Sequence, residues 1–141
     1  MTKDTERAIA LLKEQSYTCV LIRKDQIYAS RLRGVRPLLE LLENEGDLAG
    51  FSAADKTVGL GAAHLYLLLG VCHVWAGVMS ESAKELLESH GVSVAHDTLV
   101  PYIINRAGNG GCPIEKAVTG VASSEEALER IRETLQKLSE T

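Results

Sequence analysis

The chain has 141 residues, of which 45% are hydrophobic and 24% are charged, and only three are proline. This composition is typical of one globular domain and excludes a disordered chain. Its 15 basic and 19 acidic residues give a net charge of −4, and its aromatic residues are one Phe, one Trp and four Tyr. An acidic chain with few aromatic rings lacks the basic surface and stacking platforms of nucleic-acid-binding proteins, so we expect no nucleic-acid partner.

The three cysteines, Cys19, Cys72 and Cys112, are odd in number and show no C-x-x-C spacing. The first 14 residues are charged and do not resemble a signal peptide. These features predict reduced thiols and a cytoplasmic protein.

The N-terminal part of the chain predicts a helix, a β-hairpin and a second helix. Apolar residues form one stripe in the segment 5–15, which is typical of an amphipathic helix. The segments 17–23 and 26–32 are rich in β-branched and alternating apolar residues, which favours two paired strands. Pro37 then precedes a leucine-rich stretch that ends at 44–46, and proline is favoured in the first turn of a helix.

A long uncharged run covers residues 57–79 and is long enough to cross a membrane. His64, His73 and four glycines interrupt it, so we interpret it as a buried helix that ends at Gly70, followed by a central strand at 71–78. We therefore expect no membrane partner. Both histidines lie in apolar surroundings and are predicted to be buried and hydrogen-bonded.

The last part of the chain completes an alternating α/β pattern. A helix begins at 80–82 and a strand follows at 92–95, which with the central strand predicts a parallel βαβ unit. The segment 123–139 is a predicted C-terminal helix that begins with a capping box and carries a heptad-like apolar stripe, formed by Leu128, Ile131, Leu135 and Leu138. We expect one domain over 1–141, and a homodimer because this stripe and the central strand offer much apolar surface.

Several motifs resemble those of the family called domain of unknown function 1893. They are Asp55-Lys56 with Gly59 and Ala62-Ala63, the segment 75–92, Ile104-Asn105-Arg106, and Cys112-Pro113-Ile114-Glu115. The resemblance covers about residues 17–118. It implies a cytidine-deaminase-like α/β fold, that is, a three-layer α/β/α sandwich with a mixed sheet, and it implies no established activity.

True cytidine deaminases hold zinc with a His or Cys near a Glu at one helix start and with P-C-x-x-C at the next. The segments 59–63 and 79–82, which we take as the corresponding helix starts, contain no thiolate or imidazole ligand at that spacing. A catalytic zinc needs three protein ligands. We therefore expect no metal and no other cofactor.

Cys112 is the first candidate catalytic residue. It precedes Pro113, with Glu115 three positions later, an order that predicts a helix N-terminus with Glu115 reaching back to the cap. The free amides of a helix start favour a thiolate, whereas the charge of Glu115 opposes it. The alternative is a weak capping residue in an unreactive loop.

Two further pairs are candidate ligand-binding residues. Asn105 and Arg106 border a glycine-rich loop and are suited to hold a carboxylate or phosphate, unless Arg106 forms a structural ion pair. Asp55 and Lys56 lie on a strand end before a helix, where one of them is suited to act as a base or substrate anchor. The alternative is a solvated pair of opposite charges.

Ser80 and Glu81 begin a helix directly after the central strand, at the sheet edge where ligands of α/β proteins collect. Ser80 as an ordinary N-cap explains the same residues. We expect the helix starts at Leu60, Ser80 and Cys112 to converge on one cavity that receives an anion.

Two hypotheses for function follow. The first is a binding or regulatory protein without zinc, whose ligand is a small anionic or nucleotide-like molecule. The second is an enzyme that uses Cys112 as a nucleophile or redox thiol and Arg106 as an anion anchor.

Overall fold

A five-stranded mixed sheet forms the centre of the protein. The structure is a computed structural model that describes residues 2–104 and 111–139. In space the strands are ordered β2-β1-β3-β4-β5, with β1 antiparallel to β2 and β3, and with β3, β4 and β5 parallel to one another. Their bounds are β1 Cys19–Arg23, β2 Gln26–Ser30, β3 Ser52–Val58, β4 His73–Ser80 and β5 Ser93–Val100.

Helices cover both faces of this sheet. The described helices are α1 Lys3–Glu14, α2 Arg36–Asn44, α3 Leu60–Leu69, α4 Glu81–Ser89, α5 Pro113–Val118 and α6 Ser124–Ser139. Ala8 and Leu12 of α1 pack with Trp75 on one face. Residues of the other five helices share the larger core on the opposite face. The prediction of a three-layer α/β/α sandwich with a mixed sheet is confirmed.

Local sequence signals set the ends of several elements. Gly70 ends α3 in the left-handed conformation, with φ of 83°, as the sequence predicts. The Ser123 hydroxyl accepts a hydrogen bond from the Glu126 amide, and the Glu126 carboxylate accepts one from the Ala122 amide, so the predicted capping box closes the start of α6. The apolar side of α6 packs on α3 and α5, with Ile131 fully buried.

Three predictions need correction. The sequence indicates β3 only as a strand end at 55–56, because its residues SAADKTV are mostly small or charged and have low strand propensity. The strand β5 extends to Val100, beyond the predicted 92–95, and β4 begins at His73.

The uncharged run at 57–79 is divided between the end of β3, helix α3 and most of β4. No helix within the described residues is long and apolar enough to span a bilayer. His64 is buried and its Nδ1 lies 2.9 Å from the Ser124 hydroxyl, as predicted. His73 is also buried, but its Nδ1 has no hydrogen-bond partner in the described part of the chain, so the second half of that prediction is wrong for His73.

Candidate functional site

A cleft of 740 Å³ opens beside the carboxyl end of β3, where helices α2 and α5 begin. Ligands of open α/β sheets collect at this kind of edge. The apolar part of its lining consists of Val35, Ile103, Ile104, Pro113, Ile114, Leu135 and Leu138. The polar part includes Arg33, Arg36, Asp55, Thr57 and Cys112.

Asp55 is the buried polar group of this cleft. It is only 6% exposed, its Oδ2 accepts a 2.7 Å hydrogen bond from the Tyr66 hydroxyl, and its Oδ1 accepts one from the Thr57 amide. Burial raises the pKa of the Asp55 carboxyl from 3.8 to about 7, although these hydrogen bonds act in the opposite direction. The carboxyl therefore changes its charge near neutral pH. The alternative of a solvated surface pair is wrong for Asp55.

The hydrogen-bonded chain continues from Asp55 into the core. The Tyr66 hydroxyl also lies 3.3 Å from the sulfur of Cys19, and all three side chains are buried. Burial, followed by the nearby Asp55 carboxylate, raises the pKa values of the Tyr66 hydroxyl and the Cys19 thiol well above their usual range. Both groups therefore stay protonated, and Asp55 is the titrating member of the three.

Cys112 caps α5 and lines the same cleft. It is half-buried and Pro113 follows at the helix start, as predicted, but the Cys112 side chain makes no capping hydrogen bond.

Glu115 does not reach back to this cap, and this part of the prediction needs correction. Its two carboxylate oxygens accept hydrogen bonds of 2.6 and 2.8 Å from the amides of Leu60 and Gly61. An anion is stabilised at a helix N-terminus by these free amides and by the helix dipole. The protein's own carboxylate therefore fills the anion site at the start of α3, and Glu115 is unavailable to orient the Cys112 thiol.

The glycines at the start of α3 make room for this contact. A Cβ on Gly59 would collide with the Glu115 carboxylate, and a Cβ on Gly61 would lie 2.7 Å from the Ile114 side chain. The sequence Gly-Leu-Gly is therefore explained by the docking of α5, and the starts of α3 and α5 converge as predicted.

Besides Lys56, the cleft has two cations, which come from a segment that sequence reasoning missed. Arg36 is the first residue of α2 and Arg33 lies three positions before it, and both are exposed. No carboxylate lies within 4.0 Å of either guanidinium in the described ranges. The motif Arg-Gly-Val-Arg-Pro by itself predicts only the end of a hairpin. Two arginines three positions apart just before Pro37 are the signal that could have identified this segment as a candidate anion-binding site.

The remaining predicted site residues lie in other places. Lys56 borders the cleft but also a groove on the α1 side of the sheet, beside Trp75. The Ser80 hydroxyl is fully buried and caps the Ala83 amide, and Glu81 is exposed on α4.

The α3 and α5 starts meet at a smaller neighbouring pocket of 100 Å³, which Gly59, Cys112 and Glu115 line. Ser80 and Glu81 line neither this pocket nor the cleft, so the α4 start does not join them. The predicted residues Asn105 and Arg106 lie outside the described residues.

The sequence of residues 7–135 matches the model of a family described as TM1506, domain of unknown function DUF1893. The chain belongs to the DUF1893 family. The crystal structure of a DUF1893 family protein, TM1506 from Thermotoga maritima, is 29% identical, with a TM-score of 0.84 over 97% of this chain and 92% of that one. The comparison with curated proteins found no match.

The apo dCMP deaminase from the cyanophage S-TIM5 shares the fold of this DUF1893 protein. Its TM-score is 0.50 at 13% identity, over 68% of this chain and 99% of that chain. The fold relationship raises the question of a zinc site. The α2 start at the cleft carries Val35 and Arg36, and the α3 start beside it carries Gly59 and Leu60, none of which supplies a thiolate or imidazole.

Cys112 is the cysteine of the cleft lining, and Glu115 is held by the α3 amides. Among the described residues there is no group of three His, Cys, Asp or Glu side chains arranged to hold a metal ion. The donor set that this DUF1893 protein presents at the cleft does not fit a deaminase zinc site.

Proposed function

We propose that this DUF1893 protein binds a small anionic or nucleotide-like molecule in the cleft and acts as a binding or regulatory protein. The observation that carries the proposal is the composition of the cleft. Arg33 and Arg36, which have no ion-pair partner among the described residues, share it with apolar walls and with the buried Asp55 carboxyl.

Each part of the cleft suits one part of such a ligand. Guanidinium groups bind phosphate or carboxylate through two parallel N–H donors. The apolar side chains of Val35, Ile103 and Ile114 are suited to pack against a flat ring. Asp55 accepts an N–H from a polar heterocycle when it is ionised and donates its own proton when it is neutral. The volume of 740 Å³ is within the usual range for small-molecule sites.

The first probe is dCMP, the nucleotide named for the deaminase of the same fold. This choice rests on fold analogy alone. Inorganic phosphate and cytidine serve as partial probes, because each carries only one half of the nucleotide.

Protection of Cys112 from alkylation reports occupancy of the cleft. Cys112 lines the cleft, whereas Cys72 is exposed at the start of β4 and serves as an internal control. The protein is treated with iodoacetamide with and without dCMP, and each cysteine is quantified by peptide mass spectrometry. We expect dCMP to slow the alkylation of Cys112 and to leave Cys72 unchanged. If neither dCMP nor any other nucleoside monophosphate changes the rate of Cys112 alkylation relative to that of Cys72, the proposal is contradicted.

The variant Arg36→Ala tests the anion contact. We expect the dissociation constant for dCMP to increase by about tenfold, which is the loss of about 1.4 kcal/mol from one charge-assisted contact. Thermal stability should change little, because Arg36 is exposed and has no ion-pair partner among the described residues. Lys3→Ala is the control, since it removes an exposed positive charge from α1 on the other side of the sheet.

An enzyme with Cys112 as nucleophile is the second candidate. It is favoured by the presence in one cleft of a half-buried thiol and of Asp55, whose pKa of about 7 suits proton transfer. Rapid, pH-dependent alkylation of Cys112 in the free protein supports this candidate, and alkylation no faster than at Cys72 contradicts it. The cytoplasmic setting belongs to both proposals, since all three cysteines are free thiols.

A further inference from the structure

A second opening lies on the opposite face of the sheet, beneath the end of α1. It is a groove of 280 Å³ whose charged lining residues are Lys13, Lys56 and Asp97, with Trp75 and Gly77 also in the lining. In the described part of the chain, none of the three charged groups has a partner of opposite charge within 4.0 Å. The groove therefore presents two ammonium groups and one carboxylate whose charges are not neutralised by each other.

The floor of the groove separates the opposite charges. One row of the sheet contains Lys56 of β3, Gly77 of β4 and Asp97 of β5. The row on one side of it pairs Asp55, Ala76 and His96, and the row on the other side pairs Thr57, Val78 and Thr98. Adjacent strands are separated by about 4.8 Å, so the backbones of Lys56 and Asp97 are about 10 Å apart. Because the residue between them is glycine, no side chain fills the gap.

The backbone explains why this position is glycine. A Cβ on Gly77 would lie 2.9 Å from the carbonyl oxygen of Lys56. The Lys56 amide donates to the carbonyl of Thr18, on the β1 side, while its own carbonyl approaches β4. In a regular strand the amide and the carbonyl of one residue point to the same neighbouring strand, so the backbone of β3 is irregular at Lys56. The Lys56 carbonyl therefore lies against Gly77 at the floor of the groove.

Trp75 is 5% exposed and presents a small apolar edge beside these groups. The Lys13 ammonium lies 5.3 Å from the centroid of the Trp75 ring, at cation–π distance. The groove thus combines the ammonium groups of Lys13 and Lys56, the carboxylate of Asp97 across Gly77, and the ring of Trp75.

We propose that this groove is a second binding site, for a small zwitterion of the α-amino acid class. The anionic group of the ligand binds between the ammonium groups of Lys13 and Lys56. Its ammonium group binds the Asp97 carboxylate, and its carbon skeleton packs on Trp75. A ligand with a single charge satisfies only one side of the groove.

The fluorescence of Trp75 tests the proposal, because this is the single tryptophan of the chain. The protein is titrated with L-alanine, sodium acetate and ethylammonium chloride at constant ionic strength. We expect a saturable change in fluorescence with L-alanine at millimolar concentration. The two singly charged probes should bind at least about tenfold more weakly. If acetate binds as tightly as L-alanine, the groove is an anion site and the proposal is wrong. Absence of a saturable change with L-alanine also overturns it.

Asp97→Asn separates the two halves of the site. Asp97 is exposed, so the variant should fold normally, which circular dichroism checks. We expect the affinity for L-alanine to fall by about tenfold while the weak response to acetate stays unchanged. The matched control is Asp25→Asn, which removes an exposed carboxylate from the β1–β2 turn. An unchanged L-alanine titration in Asp97→Asn contradicts the proposal. The Trp75 and Cys112 assays read different faces of the sheet, so the two proposals fail separately.

Discussion

Replacing Asp55 by asparagine should change how the stability of the protein depends on pH. Burial raises the pKa of the Asp55 carboxyl from 3.8 to about 7, so the folded state holds a proton that the unfolded state releases. The free energy of unfolding then falls as pH rises between these two values, because the folded state binds more protons than the unfolded state. The stability that the protonated carboxyl provides is complete below about pH 4 and lost above about pH 7.

The magnitude follows from the two pKa values. A change of one in pKa corresponds to about 1.4 kcal/mol, so the rise to about 7 gives a loss of about 4 kcal/mol between the two limits. The asparagine side chain of the variant resembles the protonated acid, since its amide group presents one acceptor atom and one donor atom. The Tyr66 hydroxyl can then accept from this amide and donate to the Cys19 sulfur, which lies 3.3 Å away. The variant should therefore keep the buried network without its titration.

Guanidinium unfolding of both proteins at pH 5, 6, 7 and 8 provides the measurement. Other titrating groups are common to both proteins, so the difference between the two unfolding free energies isolates Asp55. We expect the unfolding free energy of Asp55→Asn, relative to that of the wild type, to rise by about 1.4 kcal/mol for each pH unit between 5 and 7, and to change little above that range. A constant difference across this range, or one that changes in the opposite direction, refutes the assignment of a raised pKa to Asp55.

Three further predictions concern the neighbouring residues and the assembly. Glu115→Ala leaves the amides of Leu60 and Gly61 without their acceptor. It should lower the free energy of unfolding by about 3 kcal/mol, which corresponds to about 10 °C in the thermal midpoint. The control Glu129→Ala, on the exposed surface of α6, should lower it by less than about 0.5 kcal/mol. If the two variants melt together, Glu115 does not stabilise the α3 start. Tyr66→Phe removes the donor to Asp55 and should destabilise the protein more at pH 8 than at pH 5, since the ionised carboxylate depends most on this bond; equal losses at both pH values would contradict this role. We also propose a homodimer, because four large apolar side chains at one end of the molecule are at least 39% exposed. They are Leu99, Tyr102, Ile104 and Leu138. Light scattering that gives the monomer mass at tens of micromolar would count against the dimer.

Periodicity and capping signals predict the elements of the fold well where each signal is local. The hydrophobic stripe of α1, the Gly70 end of α3 and the capping box of α6 each depend on residues within a few positions of one another. The strand β3 escapes prediction because its small and charged residues favour no regular structure by themselves. It is a strand because β1 and β4 provide hydrogen-bond partners on both sides.

The sequence predicts only part of the candidate site, because its signals again come from residues that are close together in the chain. The sequence identifies Cys112, Asp55 and the helix starts as chemically notable, but it assigns them partners that are close in the chain. Its pattern pairs Asp55 with the neighbouring Lys56, although the hydrogen-bond donors to Asp55 include Tyr66 and the Thr57 amide. It places Glu115 at its own helix start, although the partners of Glu115 lie 54 and 55 positions away in sequence.

The sequence by itself therefore determined the order of the elements other than β3, the family and the types of group available for chemistry, because these depend on local pattern and composition. Tertiary structure alone decided the state of each group. Folding buries Asp55 and so moves its pKa toward neutrality, and it brings the α5 carboxylate to the amides of α3 and closes that anion site. It also leaves Arg33 and Arg36 without an ion-pair partner among the described residues, at the mouth of the cleft. Burial and long-range pairing set the charge and availability of a side chain, and neither is encoded in the spacing of residues along the chain.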